Sequence, residues 1–203
     1  MKETIEKHIR DNYKTYIILI IIFTGGLIAG IVAVNNLNLE NKEKINYYLI
    51  DFTNNLRDNN NINYGLLLTN SLKKNFKFII ILIVLSFSIW RKISNSILMG
   101  YKGFTLGYSI SSAICIFGIG KGIVFNISLL LLSELIFIPT LLFTAVFCMH
   151  IYSDIINRNC SNRNNYRIRN LVIFIIILLN LLVASLTKTY LSSNLFIMIN
   201  NYF

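Results

Sequence analysis

One acidic side chain lies deep inside an apolar run, and it is the strongest candidate for chemistry in this sequence. Glu134 is the only charged residue between Ile123 and Ile151, and Pro139 follows five positions later. A carboxylate in lipid needs a partner or a proton, so such residues often belong to proton or ion relays. The alternative is a structural hydrogen bond beside a proline kink. We favour this structural role for the buried polar residue Glu134, because relays use several such groups and the sequence shows no other charge in the middle of an apolar run.

Other reactive residue types are present, but their spacing is not typical of catalysis or metal binding. The two histidines, His8 and His150, belong to no HExxH motif. The three cysteines form no CxxC pair. The segment Gly118-Ile-Gly-Lys-Gly122 lacks the spacing of a phosphate-binding loop, and we interpret it as a tight turn between two helices. We therefore expect no enzymatic activity, no metal and no cofactor.

The elements that surround these residues are apolar runs long enough to cross a membrane. Of the 203 residues, 55% are hydrophobic. A run of about 18 or more apolar residues crosses the hydrocarbon core, where the backbone must be helical to satisfy its own hydrogen bonds. We predict a single all-α integral membrane domain over residues 1–203 with about five transmembrane helices. They cover about residues 16–34, 76–97, 103–118, 123–150 and 171–187, and the short third one could be re-entrant instead.

The distribution of lysine and arginine predicts the orientation of these helices. The net charge is +10, but the charges lie in short segments between apolar runs. Such charges orient helices and meet anionic lipid headgroups. Nucleic-acid binding is not expected, because no basic stripe with interleaved aromatic residues is present. The basic segments 1–15, 91–102 and 150–170 place the N-terminus in the cytoplasm and the C-terminus outside the cell.

The one sizeable polar region, residues 35–75, is predicted to be external, amphipathic and helical. Five residues recur at helical spacing and form an apolar stripe: Ile45, Tyr48, Leu49, Phe52 and Leu56. Its candidate docking residues are Ile45, Leu49, Phe52 and Leu56. Amphipathic helices of this kind bind partner proteins or lie on a membrane surface. We predict that the stripe docks a partner. The alternatives are contact with lipid and a simple connecting loop.

Small residues recur one turn apart in two of the predicted membrane helices. Gly26 and Gly30 form a GxxxG pattern in the first helix, and Gly103 and Gly107 form another in the third. Small residues at this spacing let two helix backbones approach closely. Between two chains the pattern would make a homo-oligomer. Within one chain it is ordinary folding, and we favour that interpretation.

Several short segments together resemble one known family. They are His8-Ile-Arg-Asp-Asn12, Ser71-Leu-Lys-Lys-Asn75, Tyr101-Lys-Gly-Phe-Thr-Leu-Gly107, and Glu134 with Ile138-Pro139. In this order and spacing they resemble the stage II sporulation protein M family of endospore-forming bacteria. The resemblance covers nearly the whole chain.

The resemblance implies a multi-pass protein of the cell membrane, located in the septal and engulfing membrane during sporulation. It implies a non-enzymatic scaffold that is embedded in the lipid bilayer. The scaffold would anchor two peptidoglycan-degrading enzymes, stage II sporulation proteins D and P, during septal thinning and engulfment of the forespore. The alternative function is a transporter or permease subunit. Transporters typically contain internal repeats and several intramembrane polar groups, neither of which we find in the sequence.

Overall fold

The computed structural model describes residues 2–58, 64–156, 163–192 and 194, and every regular element among them is helical. Seven α-helices are present: α1 Lys2–Asp11, α2 Tyr13–Asn35, α3 Leu39–Asp58, α4 Tyr64–Ser86, α5 Arg91–Asn126, α6 Leu132–Ile156 and α7 Arg163–Leu186. Two π-helical segments, π1 (Ile127–Leu131) and π2 (Thr187–Ser192), precede α6 and follow α7. The predicted all-α class is thereby confirmed.

Four stretches among the described residues are long and apolar enough to cross a membrane. They are Tyr13–Asn35, Arg91–Leu129, Leu132–Tyr152 and Asn170–Leu191. Their outer surfaces carry large apolar side chains, such as Ile21, Ile97 and Leu135, that are 62%, 67% and 73% exposed. Apolar surface on this scale is rare on soluble monomers but is expected where lipid is the solvent. The protein is therefore a membrane protein.

The core between these helices is built from α2, α4, α5, α6 and α7. Leu19 of α2, Leu82 of α4, Met99 of α5, Leu141 of α6 and Leu181 of α7 belong to one cluster and are at most 2% exposed. Each helix thus presents an inner face to its neighbours. The bundle packs tightly inside even though its outside is apolar as well.

The predicted second span, about residues 76–97, is not one helix. The helix α4 ends at Ser86, and α5 begins at Arg91 after a short turn. The amide of Asn95 donates to the hydroxyl oxygen of Ser86 at 2.9 Å, and both side chains are completely buried. This pair holds the two helices together across the turn. The prediction missed it because the residues of the turn are as apolar as those of a helix.

The helix α4 differs from the four apolar stretches because it carries Lys73, Lys74 and Lys77 near its middle. A span with charges at this depth is tolerated only where the lysines reach headgroups or polar partners. The predicted total of about five crossings therefore depends on α4 and stays a prediction.

The tight turn predicted at Gly118–Gly122 is present, and it folds α5 back on itself. Gly118 has a φ of +79°, which favours glycine. The amide of Asn126 donates to the carbonyl of Ile110 at 3.0 Å. A Cβ on Gly122 would lie 2.6 Å from the Cα of Ile114, so no other residue fits there without a shift. The helix α5 is therefore an antiparallel pair of arms, residues 91–117 and 119–126.

This hairpin revises the third and fourth predicted spans. The third, about residues 103–118, lies inside the longer first arm, which at ~1.5 Å per residue extends about 40 Å. That length exceeds a hydrocarbon core of about 30 Å, so a re-entrant segment is not required. The fourth, about residues 123–150, starts in the second arm and passes through π1 into α6. Hydropathy could not locate these boundaries because apolar residues continue from Ile123 into α6, with only Asn126 and Ser128 between them.

The turns collect at two ends of the bundle. At one end, Leu49 of α3 packs against the hydrophobic cluster that contains Phe125, near the α5 turn. At the other end, the rings of His8 and His150 lie 5.4 Å apart, next to the end of α6. Residues 35–75 were predicted to be external, and the order of the predicted spans puts the turn at Gly118 on the same side, so their proximity is consistent with that topology. Which end faces the cytoplasm remains a prediction from the lysine and arginine distribution.

Candidate functional site

The glycine motifs of α2 and α5 lie against each other inside one chain. Gly26 faces the backbone of Gly100, and Gly30 faces the backbone of Phe104. The residue numbers rise together in both helices, so α2 and the first arm of α5 run parallel. On the α5 side, Gly103 and Gly107 face the backbone of α2. The structure thus uses all four glycines for close contact between two helices of one chain, and the motifs by themselves no longer suggest a homo-oligomer.

The contacts at these four glycines are made with backbone atoms. A Cβ at any of them would overlap a carbonyl oxygen of the facing helix. Two neighbouring glycines differ: a Cβ on Gly25 meets nothing within 4 Å, and one on Gly100 would lie 3.4 Å from its nearest atom, in the side chain of Ile22. Glycine is therefore sterically required at the four positions of the interface, but not at Gly25 or Gly100.

Glu134 has a partner that the sequence did not reveal. The Nζ atom of Lys102 donates to its Oε1 atom at 2.8 Å, and the two side chains are 15% and 14% exposed. The ammonium also lies 4.9 Å from the ring centroid of Phe137, a favourable cation–π distance. The next residue, Gly103, packs midway along α2. The pair is therefore at mid-membrane depth, and the assignment of Lys102 to a basic loop was wrong.

Two further lysines complete a charged cluster around this pair. The amide of Asn75, next to Lys74, donates to the hydroxyl of Ser185 at 3.1 Å, and Lys188 of π2 follows Ser185 by three residues. Both lysines are therefore near enough to the pair for their charges to influence each other. We call Lys74, Lys102, Glu134 and Lys188 the charged cluster. It joins α4, α5, α6 and π2, and it holds three cationic side chains for one carboxylate. Along the sequence, Glu134 is the only charge in the middle of an apolar run. In the folded protein, lysines from other helices lie close to it.

Both π-helical segments are at the charged cluster. The segment π1 leads directly into α6 three residues before Glu134, and π2 contains Lys188. The two segments contact each other. Pro139 lies inside α6, five positions after Glu134. Because proline has no backbone N–H, the helix lacks one hydrogen bond there. π-helical turns are rare and frequently mark functional sites, which makes the charged cluster the leading candidate for one.

The predicted docking stripe does not form an open surface along its whole length. Ile45 and Leu49 are half-buried, and Leu49 packs against the α5 hairpin. Phe52 and Leu56 belong to α3, but their side chains lie outside the described residues. The open face of α3 instead carries the large side chains of Leu39, Tyr47, Tyr48 and Ile50. Tyr47 and Tyr48 are each 73% exposed.

The remaining reactive residues form no metal centre in the part of the chain that the structure describes. No group of three or more histidine, cysteine, aspartate or glutamate side chains could hold a metal there. The two histidines do meet, and their rings pack with Phe143 and Phe147. Aromatic packing of this type is a structural contact that secures α1 to α6.

Comparison with known proteins identifies a family. The sequence model of the family described as stage II sporulation protein M matches residues 19–193. The matched region includes the glycine interface, the whole charged cluster and α3. No curated protein and no solved structure matches the chain.

Proposed function

Because the chain belongs to the stage II sporulation protein M family, we propose that it is a non-enzymatic membrane scaffold for peptidoglycan-degrading enzymes. In this proposal it acts in the septal and engulfing membrane during sporulation. It holds the enzymes, such as stage II sporulation proteins D and P, beside the cell wall that they thin. The family membership supports a sporulation-related membrane protein, and the scaffold role is the step that we add.

The observation that carries the scaffold proposal is the exposed aromatic face of α3. The helix has 20 residues and lies outside the apolar spans. Its neighbouring rings of Tyr47 and Tyr48 have centroids 6.4 Å apart and are open to the surroundings. Tyrosine is enriched in protein–protein interfaces and in their energetic hot spots. We propose that this face, rather than the half-buried stripe, contacts the enzymes.

Because the protein is anchored in the membrane, a weak contact on α3 is sufficient to retain an enzyme there. Two proteins confined to the same membrane meet at an effective concentration far above their average concentration in the cell. An enzyme that is itself held at the membrane would therefore stay bound through a small aromatic surface. The inner face of α3 would fix the position of that surface, because Leu49 seats the helix on the α5 hairpin.

The scaffold proposal is tested by co-purifying the full-length protein with the two enzymes from sporulating cells. Tyr47→Asp combined with Tyr48→Asp should reduce enzyme recovery at least about tenfold, as expected for loss of interface hot spots. Asn41→Asp combined with Asn46→Asp adds the same charge to the same helix and should leave recovery unchanged. Leu49→Asp should instead lower the amount of folded protein, because it places a charge in a hydrophobic cluster.

Equal recovery with the tyrosine variant and with the asparagine variant would remove the open face of α3 from the docking site. The tyrosines would then be at the headgroup level of the membrane, where this residue type is also enriched.

A permease subunit is the second candidate function, and the charged cluster is the observation that favours it. Transporters place polar groups from several helices at mid-membrane. Here α4, α5, α6 and π2 contribute such groups. The scaffold remains our first proposal, because we find in the sequence no internal repeat of the kind that alternating access uses.

A further inference from the structure

We propose that the outer face of α4 docks a membrane-spanning helix of another protein, and that this helix carries carboxylates opposite Lys73 and Lys77. The inference goes beyond the scaffold function. It concerns a different helix from α3 and a partner inside the bilayer. It therefore stands whether or not the protein docks enzymes.

The first argument is the spacing of the exposed residues on α4. The inner face of this helix packs in the bundle through buried residues such as Ile79 and Leu82. The residues of the outer face are all exposed and are separated by four and three positions in turn: Leu66, Asn70, Lys73, Lys77, Ile80 and Val84. This seven-residue repeat is the one by which two helices pack side by side as a left-handed pair, in water and in membranes. The outer face of α4 therefore has the geometry to receive one further helix.

The second argument is a groove along the same face. It is open and has a volume of about 480 Å³. Its walls are mainly apolar, and its lining residues are Leu72, Lys73, Phe76, Lys77, Ile80 and Ile81. Helices pack by placing the side-chain ridges of one into the grooves of the other. The groove is therefore a suitable seat for the apolar side chains of a partner helix, with both lysines beside them.

The third argument is the charge of this face at its depth in the membrane. Lys73 and Lys77 are exposed, and neither forms an ion pair with any side chain that the structure describes. Phe78, the neighbour of Lys77, has its ring centroid 6.0 Å from the Nζ atom of Lys102. Lys102 belongs to the pair at mid-membrane depth, and headgroups begin about 15 Å from the middle of the bilayer. A carboxylate on a neighbouring membrane helix, unlike a lipid headgroup, reaches this depth and offsets the cost of the ammonium groups.

A second copy of this chain does not supply the required carboxylates. Within the four apolar stretches that are long enough to cross a membrane, the one acidic residue is Glu134. Its carboxylate is mostly buried and already paired with Lys102. The charge of the outer face of α4 is therefore complementary to a different protein, one whose membrane-spanning helix contains aspartate or glutamate near its centre.

The test uses the full-length protein and synthetic membrane-spanning peptides in vesicles of phosphatidylcholine. One peptide is a leucine–alanine helix with two glutamates four residues apart at its centre, and its match has two glutamines there. Association is measured by energy transfer between a label on the peptide and one on the protein. We expect the glutamate peptide to associate at least about tenfold more strongly, because the glutamine peptide offers no counter-charge to the lysines.

Lys73→Gln combined with Lys77→Gln should abolish this preference. Lys42→Gln combined with Lys44→Gln removes the same number of charges from α3 and should leave the preference unchanged. If the double variant of α4 does not fold, Lys77→Gln alone alters one exposed position and should still reduce the preference.

The proposal is overturned if the unmodified protein binds neither peptide or binds both equally, or if the α4 variant that folds keeps the full preference for glutamate. Equal binding of both peptides that added phosphatidylglycerol abolishes would identify an anionic lipid as the occupant of this face, and it would contradict the proposal as well.

Discussion

Replacing Glu134 by glutamine is expected to destabilise the protein by about 3–5 kcal/mol, the range observed when one partner of a buried ion pair is removed. The substitution keeps the shape of the side chain but leaves the Lys102 ammonium, which is 15% exposed, without its counter-charge. Lys188 loses the same nearby carboxylate. The sequence alone favoured a structural hydrogen bond, which an amide would retain. The ion pair in the structure reverses that expectation.

The measurement is the unfolding midpoint of the purified protein, together with its amount in the membrane. Adding Lys102→Met to Glu134→Gln should restore part of the lost stability, because an apolar residue no longer needs a counter-charge. Glu40→Gln, in the exposed pair on α3, should change stability by less than about 1 kcal/mol. If Glu134→Gln keeps full stability but abolishes function, the ion pair is not structural, and the relay expected of a permease gains support.

Replacing a sterically required glycine of the α2–α5 interface by alanine should destabilise the bundle by about 1–3 kcal/mol, as overpacking of a tight contact does. Gly30→Ala is the clearest case, because its Cβ would meet the backbone of both Phe104 and Tyr108. Neither backbone can move without separating the two helices. The same reasoning applies to the other glycines with backbone contacts, namely Gly26, Gly103 and Gly107.

The controls are glycines of the same two helices that have room for a methyl group. Gly25→Ala meets nothing within 4 Å, and Gly100→Ala makes an ordinary contact. Both should be neutral or stabilising by about 0.5–1 kcal/mol, because alanine is the better helix former. The readout is the thermal midpoint in detergent or nanodiscs. A similar loss at Gly25 and at Gly30 would show that helix propensity, not close backbone approach, decides the effect.

The fold class could be predicted from the sequence because segments that cross a bilayer must be long and apolar. Long apolar runs must be helices, and the runs were visible by inspection. The turn after Ser86 was not visible, because Ser88 is the one turn-favouring residue among apolar neighbours and the turn is held by a buried hydrogen bond between Ser86 and Asn95. The turn at Gly118 was visible, because glycines cluster there and one of them needs a positive φ.

The charged cluster could be predicted only in part. A carboxylate inside an apolar run is conspicuous in any sequence. Its partner Lys102 lies 32 positions earlier, beside a basic segment, and only the packing of α5 against α6 shows that it points inward. Lys188 lies near the end of the last apolar run, where lysines usually reach headgroups. The choice between headgroup and cluster depends on how α7 sits in the bundle, which local sequence does not determine.

The open face of α3 could not be predicted from the spacing of apolar residues. Apolar residues at helical spacing predict the face of a helix that becomes buried, without identifying what buries it. In α3 that face includes Leu49, and the α5 hairpin of the same chain covers it. The surface that remains for a partner is the less regular one with Tyr47 and Tyr48. Tyr48 shares the helical spacing of the apolar stripe, but neither tyrosine was among the four residues predicted to dock a partner.

The scaffold proposal is tested most directly by imaging fluorescently labelled peptidoglycan-degrading enzymes in sporulating cells that lack this protein. We expect both enzymes to be made in normal amounts but to lose their focus at the septal membrane, so that septal thinning and engulfment stop. The unmodified protein should restore the focus, and the Tyr47→Asp, Tyr48→Asp variant should not. Enzymes that remain focused at the septum in cells without the protein would contradict the scaffold function.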